Sequence, residues 1–324
     1  MMRRRASEFL LIGHLACSLK LCTVVVLLSG LMGCKAVVQH RALVLSTGMA
    51  HSCAILEDRS LRCWGEDEAG FFEFENCGGD SVFGANGLAC GQSSPPEGRF
   101  RELASSGLAS CAIDEEAELH CWGRGFAAGS VPMQGTFHAL VSETMSERWC
   151  ALDEAGRAHC WSASGPALSP PELRFVDVAL NGTGLCGVVE DGSLGCVALA
   201  PGASAPSPPA EGRFRAIAAD SELFCAISEA ETLSCWGSNA SQMPTEPSQR
   251  WERFSGEGVC ARRSDGVFVC FRDGFEPLEV SGFEELSMGE AHYCGLRSDG
   301  RVECATHSKH VRCPDCTEVP KTLR

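Results

Sequence analysis

"HSCAILEDRSLRCWG", residues 51–65, sets two cysteines ten residues apart, a polar cluster midway between them, and a tryptophan directly after the second. Working outward along the chain, the same spacing returns six more times. The pairs are Cys53/Cys63, Cys111/Cys121, Cys150/Cys160, Cys186/Cys196, Cys225/Cys235, Cys260/Cys270 and Cys294/Cys304. Successive pairs begin 34 to 39 residues apart, except for a first interval of 58, so the first unit carries an insert. A fixed long period marks a solenoid or a propeller.

The spacing has a geometric reading. Gly156, Gly192, Gly266 and Gly300 each stand six residues after a first cysteine, preceded by polar residues. A three-residue hairpin loop places its last residue in the left-handed region, where glycine is favoured. Counting outward from such a loop sets the two cysteines opposite each other, within disulfide reach. Arg59, Ala117 and Glu231 occupy the same position in the other three units and weaken the turn signal there. Upstream of each pair lie two apolar residues three apart: Phe100/Leu103, Phe137/Leu140, Phe175/Val178, Phe214/Ile217, Trp251/Phe254 and Phe283/Leu286, with Ala42/Leu45 as a weaker first case. They predict an inner strand. Proline-bearing stretches between units, such as "SSPPEGRF" (93–100) and "SPPAEGRF" (207–214), fit outer strands with a free edge. Inner strand, disulfided hairpin and outer strand make a four-stranded blade. The expectation is an all-β, seven-bladed β-propeller with one hairpin disulfide per blade.

"MAHSCAILEDRSLRCWGEDEAG" (49–70) resembles the repeat of the regulator of chromosome condensation family through His51, Ser52, Ala54, Trp64 and Gly65. "EAHYCGLRSDGRVEC" (290–304) resembles it through His292, Asp299 and Gly300, and the Cys–Trp step recurs at Trp64, Trp122, Trp161 and Trp236. The resemblance spans roughly residues 42 to 310 and implies a seven-bladed propeller used as a binding platform. Members differ widely in function, and no activity carries over residue by residue. Fold alone does not name a function.

The N-terminus reads as a leader. Three arginines, Arg3 to Arg5, precede the apolar "LCTVVVLLSGLMGC" (21–34), which is too short for a comfortable membrane span. "LMGC" resembles a bacterial lipobox, with Leu31 and Gly33 matching and Cys34 as the lipidated residue; an uncut signal anchor is the alternative. Residues 1–33 are thus read as a lipoprotein signal, 34–41 as a short tether and 42–324 as the propeller, with an insert at 66–99 and a closing tail at 305–324. "KAVVQH" (35–40) competes with the tail for the closing role. Removing the leader takes four basic residues (Arg3, Arg4, Arg5, Lys20) and one acid (Glu8) from the formal −15, leaving −18. So acidic a chain lacks the clustered cations that a nucleic-acid backbone requires. The expected place is the bacterial outer membrane, facing the periplasm or the outside and held through the lipid only.

Of 21 cysteines, Cys17 and Cys22 fall in the leader and Cys34 is the lipid site. The seven pairs take 14 of the remaining 18, and Cys77/Cys90 and Cys313/Cys316 form two local pairs. An even count with obvious partners points to an oxidising compartment. The tail "HSKHVRCPDC" (307–316) offers His307, His310, Cys313 and Cys316 to zinc, but a Cys313–Cys316 disulfide is the favoured reading. His51 and His292 occupy matched repeat positions and read as architectural, as do His120 and His159 beside second cysteines. Acidic runs such as "DEEAE" (114–118) fall on turns, where carboxylates are ordinary. The Gly-rich "ENCGGDSVFGANGLACGQ" (75–92) lacks a phosphate-loop lysine.

No cofactor, metal or catalytic set is expected. The first-blade insert is the most individual segment, with Phe71, Phe72, Phe74 and Phe83 beside the Cys77/Cys90 pair. Aromatics on a stapled loop suit partner binding; packing back on the first blade is the competing reading. The sequence therefore predicts a monomeric, non-enzymatic scaffold for an unidentified protein partner, with a carbohydrate-binding propeller as the alternative and a propeller hydrolase or lyase behind it.

Overall fold

The structure, a computed structural model, describes residues 40–65, 82–84, 87–89, 91–130, 133–143, 148–162, 165–168, 173–199, 203–238, 240, 243, 248–256, 258–271, 277–290, 292–306 and 317–323. These fall in one compact unit, residues 38–324. Seven antiparallel sheets follow one another in chain order, and a short strand pair, Val82–Gly84 with Gly87–Ala89, lies inside the first-blade insert. No described helix is long and apolar enough to cross a membrane.

Each sheet is one blade of meandering strands. Blade 1 holds Ala42–Thr47, His51–Leu56 and Leu61–Gly65; blade 2 holds Phe100–Ser106, Ala109–Asp114, Leu119–Gly123 and Phe126–Ser130. Blade 3 is Phe137–Glu143, Arg148–Asp153, Ala158–Ser162 and Gly165–Leu168, and blade 4 is Phe175–Asn181, Gly184–Val189 and Leu194–Val197. In blade 5 are Phe214–Asp220, Leu223–Ser228 and Leu233–Gly237; in blade 6, Trp251–Phe254, Val259–Arg263, Phe268–Phe271 and Leu278–Val280. Glu285–Met288, His292–Leu296 and Val302–Thr306 form blade 7.

The second and third strands pair so that each cysteine faces its partner: Cys53 opposite Cys63, Cys150 opposite Cys160, and likewise around the ring. All seven disulfides are formed. Opposite the first cysteine the inner strand carries a small residue: Ser46, Ala104, Ala179, Ala218 and Ser287, with Val141 the largest. Small side chains leave the space that the sulfur pair fills.

The core is divided among the seven blade interfaces. One buried cluster joins Cys53, Ile55 and Leu61 of blade 1 to Phe100, Leu103 and Trp122 of blade 2. The next joins Cys111, Ile113 and Cys121 to Phe137, Trp149 and Trp161 of blade 3. Equivalent clusters follow around the ring to the seam, where Cys294, Leu296 and Val302 meet Ala42, Leu45, Leu56 and Trp64. Each disulfide therefore forms the floor on which the next blade's aromatic packs. That arrangement explains why a Trp so often follows the second cysteine: alternation along the strand sends the Cys to one neighbouring blade and the Trp to the other.

Hairpin turns also link the blades. The carbonyl at the third turn position accepts the amide that opens the next inner strand, as in Arg59 to Phe100 (2.8 Å), Ala117 to Phe137 (2.9 Å) and Gly156 to Phe175 (2.8 Å). The same bond closes the ring, from Ala42 N to Gly300 O at 3.1 Å. Arg59, Ala117 and Glu231 adopt positive φ (69°, 70° and 62°) like the glycines at that position. The turn thus holds its left-handed geometry where the sequence signal is weak, because the aimed carbonyl requires it.

Two expectations need correction. Among the described residues only blades 2, 3 and 6 carry a fourth strand: Phe126–Ser130 precedes Pro132, Gly165–Leu168 contains Pro166, and Leu278–Val280 follows Pro277, so none of them is a paired-proline stretch. "SSPPEGRF" and "SPPAEGRF" run as irregular connectors up to the aromatic, since paired prolines supply no ladder N–H. The tail residues 317–323 likewise form a turn instead of an outer strand. The turn is tied to blade 7 and to the residue leading into blade 1: His40 N donates to Thr322 O (2.9 Å), Val302 N donates to Leu323 O (2.8 Å), and Val319 and Leu323 are buried in the seam.

Candidate functional site

Odd-numbered strands of a meander run the same way, so the insert after the third strand of blade 1 emerges on the face where the inner strands end. Its base is held firmly. Ser93 Oγ donates to Gly65 O (3.5 Å), and Trp122 Nε1 donates to Gln92 O (3.1 Å), with Gln92 and Trp122 both fully buried. The insert therefore leaves and returns at the border of blades 1 and 2. Phe71, Phe72, Phe74, Cys77 and Cys90 lie outside the described residues, as do Cys34, His307, His310, Cys313 and Cys316. Phe83 sits in the short strand pair, opposite Leu88.

A second set, unannounced by any motif, lies on the inner strands. Two residues after the aromatic that opens each unit (Ala42 in the first) stand Val44, Glu102, Ala139, Asp177, Ala216, Arg253 and Glu285. In six blades the ladder to the second strand shifts just before this position, a β-bulge that re-aims the side chain. Asp177, Ala216 and Arg253 line a cavity of about 270 Å³ between the inner strands of blades 3 to 6, together with Ser142 and Ser255. An inner strand is a sheet edge whose free amides need partners, and the carboxylates provide them. Asp177 Oδ2 accepts Ile217 N of blade 5 at 2.9 Å, and Glu285 Oε1 accepts Leu45 N of blade 1 at 3.0 Å. Ser255 Oγ does the same for Leu286 N at 2.9 Å. Burial pushes Asp177 up to about 6, against the pull of its amide bonds from Ile217 and Val178. It pushes Glu285 up to about 7, where the Leu45 amide and Arg253 pull down and Glu102 pushes further up. Aligning the seven units at their aromatics is the signal that would have found this ring.

The matched histidines each fasten their blade to the next, His292 at the seam and His51 between blades 1 and 2. His292 Nε2 lies 2.6 Å from Ser52 Oγ of blade 1, and His51 Nε2 lies 2.8 Å from Ser110 Oγ of blade 2. Thr47 and Ser287 hydroxyls meet at 2.9 Å beside them. His51 is wholly enclosed, and desolvation, with His292 nearby, lowers its pKa to about 3. It is neutral at physiological pH. Gly48 leaves room for the ring, since a Cβ there would stand 2.4 Å from His51 Cε1.

His120 and His159 pair with turn carboxylates, Nε2 to Asp114 Oδ2 at 2.7 Å and to Asp153 Oδ2 at 3.1 Å, and each meets an aromatic edge-on, Phe100 or Phe137. Asp114, Glu118 and His120 come close enough to suggest a cation site. Their partners are one another and the local backbone, however: Asp114 Oδ1 accepts Glu118 N at 2.8 Å. A repeated ion pair on the same turns, Arg41–Glu57, Arg99–Glu115 and Arg213–Glu229, is exposed and contributes little.

No family model matches the chain, and no curated protein sequence matches it. Solved structures do. The chain is similar to the entire ectodomain of the receptor kinase CR4 from Physcomitrella patens, at 20% identity and TM-score 0.60, covering 83% of this chain and 74% of that one. PorZ of Porphyromonas gingivalis, an essential bacterial surface component of the type-IX secretion system, matches at 10% identity and TM-score 0.51 over 84% of this chain and 37% of PorZ. Yeast RCC1, in its complex with Kap60, matches at 14% identity and TM-score 0.42 over 82% and 70%. The chain is a seven-bladed β-propeller. At these identities the propeller likeness concerns the fold alone. Its seven disulfides place it in an oxidising, periplasmic or extracellular environment.

Proposed function

We propose that this propeller is a non-enzymatic protein-interaction scaffold, exported and lipid-anchored through Cys34, that engages its partner with the first-blade insert. The observation carrying the reading is the pinned base of the insert at Gly65–Ser93 and Gln92–Trp122. An aromatic-bearing loop on a rigid base loses less conformational entropy on binding than a free one. Propellers in the CR4 ectodomain and in the surface component PorZ support the placement of such a platform outside the cytoplasm. The seven units are read as divergent members of the regulator of chromosome condensation repeat. Crosslinking on intact cells tests the assignment, comparing wild type with a variant whose residues 68–90 are replaced by a short Gly-Ser link. That variant keeps Gln92 and removes Cys77 and Cys90 together. Loss of a specific partner is expected; an unchanged set of partners moves the contact to another surface. Cys34→Ala should shift the protein from the detergent phase to the aqueous phase on Triton X-114 partitioning, and retention in the detergent phase would indicate an uncut anchor.

A further inference from the structure

The seven disulfides are equal in spacing and unequal in access. The first cysteine of every pair is fully enclosed, with 0% exposure at Cys53, Cys111, Cys150, Cys186, Cys225, Cys260 and Cys294. The second cysteines divide. Cys121, Cys160 and Cys270 are buried, whereas Cys63, Cys196, Cys235 and Cys304 are partly exposed. This division follows strand number. Where a fourth strand exists it pairs directly with the cysteine, as Ser130 with Cys121, Leu168 with Cys160 and Leu278 with Cys270. In blades 1, 4, 5 and 7 the third strand is the outermost one described, and its cysteine is partly exposed.

Thiol–disulfide exchange needs that access and a leaving sulfur that tolerates charge. Attack on the exposed second cysteine expels the enclosed first cysteine as a thiolate. A buried anion is costly unless a donor stands beside it. In blade 7 one does: Ser52 Oγ lies 3.3 Å from Cys294 Sγ. With the Nε2–H tautomer of His292 donating to Ser52 Oγ (2.6 Å), the Ser52 hydroxyl proton is left for the sulfur. The corresponding contact in blade 1, Ser110 Oγ to Cys53 Sγ, is longer at 4.0 Å.

We propose that Cys294–Cys304 is a reversible redox site that takes electrons from a dithiol reductant, the first to open among four accessible hairpin disulfides. A thiolate of the dithiol attacks Cys304 Sγ, forming a mixed disulfide; the Cys294–Cys304 bond breaks and its electron pair stays on Cys294 Sγ beside the Ser52 hydroxyl. The second thiol of the reductant, once deprotonated, attacks the reductant's own sulfur in the mixed disulfide. It leaves as a cyclic disulfide, Cys304 is released as a thiolate, and both cysteines take up protons. Two electrons pass to the protein. The site has an output, because the strand carrying Cys304 also holds the closing tail through Val302 N and Leu323 O (2.8 Å).

The test uses the oxidised full chain under non-denaturing conditions at pH 8. Dithiothreitol is added, samples are quenched with iodoacetamide over time, and each cysteine's labelling is read by peptide mass spectrometry. Cys294 and Cys304 should label first, and the pairs of Cys63, Cys196 and Cys235 next. The pairs of Cys121, Cys160 and Cys270 should lag by roughly tenfold or more, since a covering strand must first open. Ser52→Ala should slow the Cys294–Cys304 step roughly tenfold, the size of one hydrogen bond to a charged sulfur, while the Cys186–Cys196 and Cys225–Cys235 rates stay as in wild type. Ser52→Thr, which keeps the hydroxyl, should restore it. Simultaneous labelling of all seven pairs in wild type, or earlier labelling of the covered three, would overturn the access argument. An unchanged Cys294–Cys304 rate in Ser52→Ala would overturn the choice of blade 7.

Discussion

His51 gives the sharpest quantitative expectation. The imidazole is fully enclosed at the junction of blades 1 and 2 and bonds Ser110 Oγ at 2.8 Å. Its pKa falls from 6.5 to about 3, because burial disfavours the cation and His292 adds repulsion. The unfolded chain therefore binds a proton that the folded one refuses between those limits. Stability from this group is complete above pH 6.5 and is lost as the pH falls toward 3. The rate of loss is about 1.4 kcal/mol per pH unit, reaching about 2 kcal/mol at pH 5 and about 4 kcal/mol at pH 3. His51→Gln keeps a partner for Ser110 without a titrating ring. Urea unfolding with the disulfides intact, at pH 7.5, 6, 5 and 4, would measure both proteins. Asp177 and Glu285 affect the two equally, so the difference between the curves reports His51 together with its coupling to His292. Wild type should converge on the variant, or fall below it, as the pH drops. Parallel curves from pH 7.5 to 4 would refute the buried, neutral histidine.

Asp177 has the opposite sign: its folded pKa is raised to about 6, so its contribution is present below 3.8 and lost as the pH rises through 6. Asp177→Asn, followed by the same urea series, should gain up to about 3 kcal/mol relative to wild type between pH 4 and 7, less what water in the cavity screens. At the turns, Gly156 has φ 75° and a Cβ there would lie 2.7 Å from Phe175 O, so Gly156→Ala should cost about 1–2 kcal/mol in thermal unfolding. Glu231→Gly, at φ 62°, should be neutral or stabilising in that assay. Leu323→Ala should cost about 2–5 kcal/mol, because this tail residue is 1% exposed within the seam cluster. An unaltered melting temperature would show that the tail does not secure the ring.

The ten-residue spacing by itself determined the hairpin, the pairing of the fourteen cysteines in seven disulfides and the blade count, because each depends on contacts within one short unit. A turn with a left-handed residue leaves only one register for its flanking strands, and seven copies of that local rule make seven blades. The acidic balance is an equally local property. What only the tertiary structure decided lies between units. Whether Cys121 is covered and Cys235 open depends on a fourth strand whose proline neighbours misdirect a linear reading. The roles of Asp177 and Glu285 were illegible because each carboxylate serves an amide some 40 residues away in chain or across the ring seam. The same holds for Ser52, whose partners His292 and Cys294 stand about 240 residues further on. Closing the ring brings them together, and that closure is a cooperative result of seven interfaces that no single repeat contains.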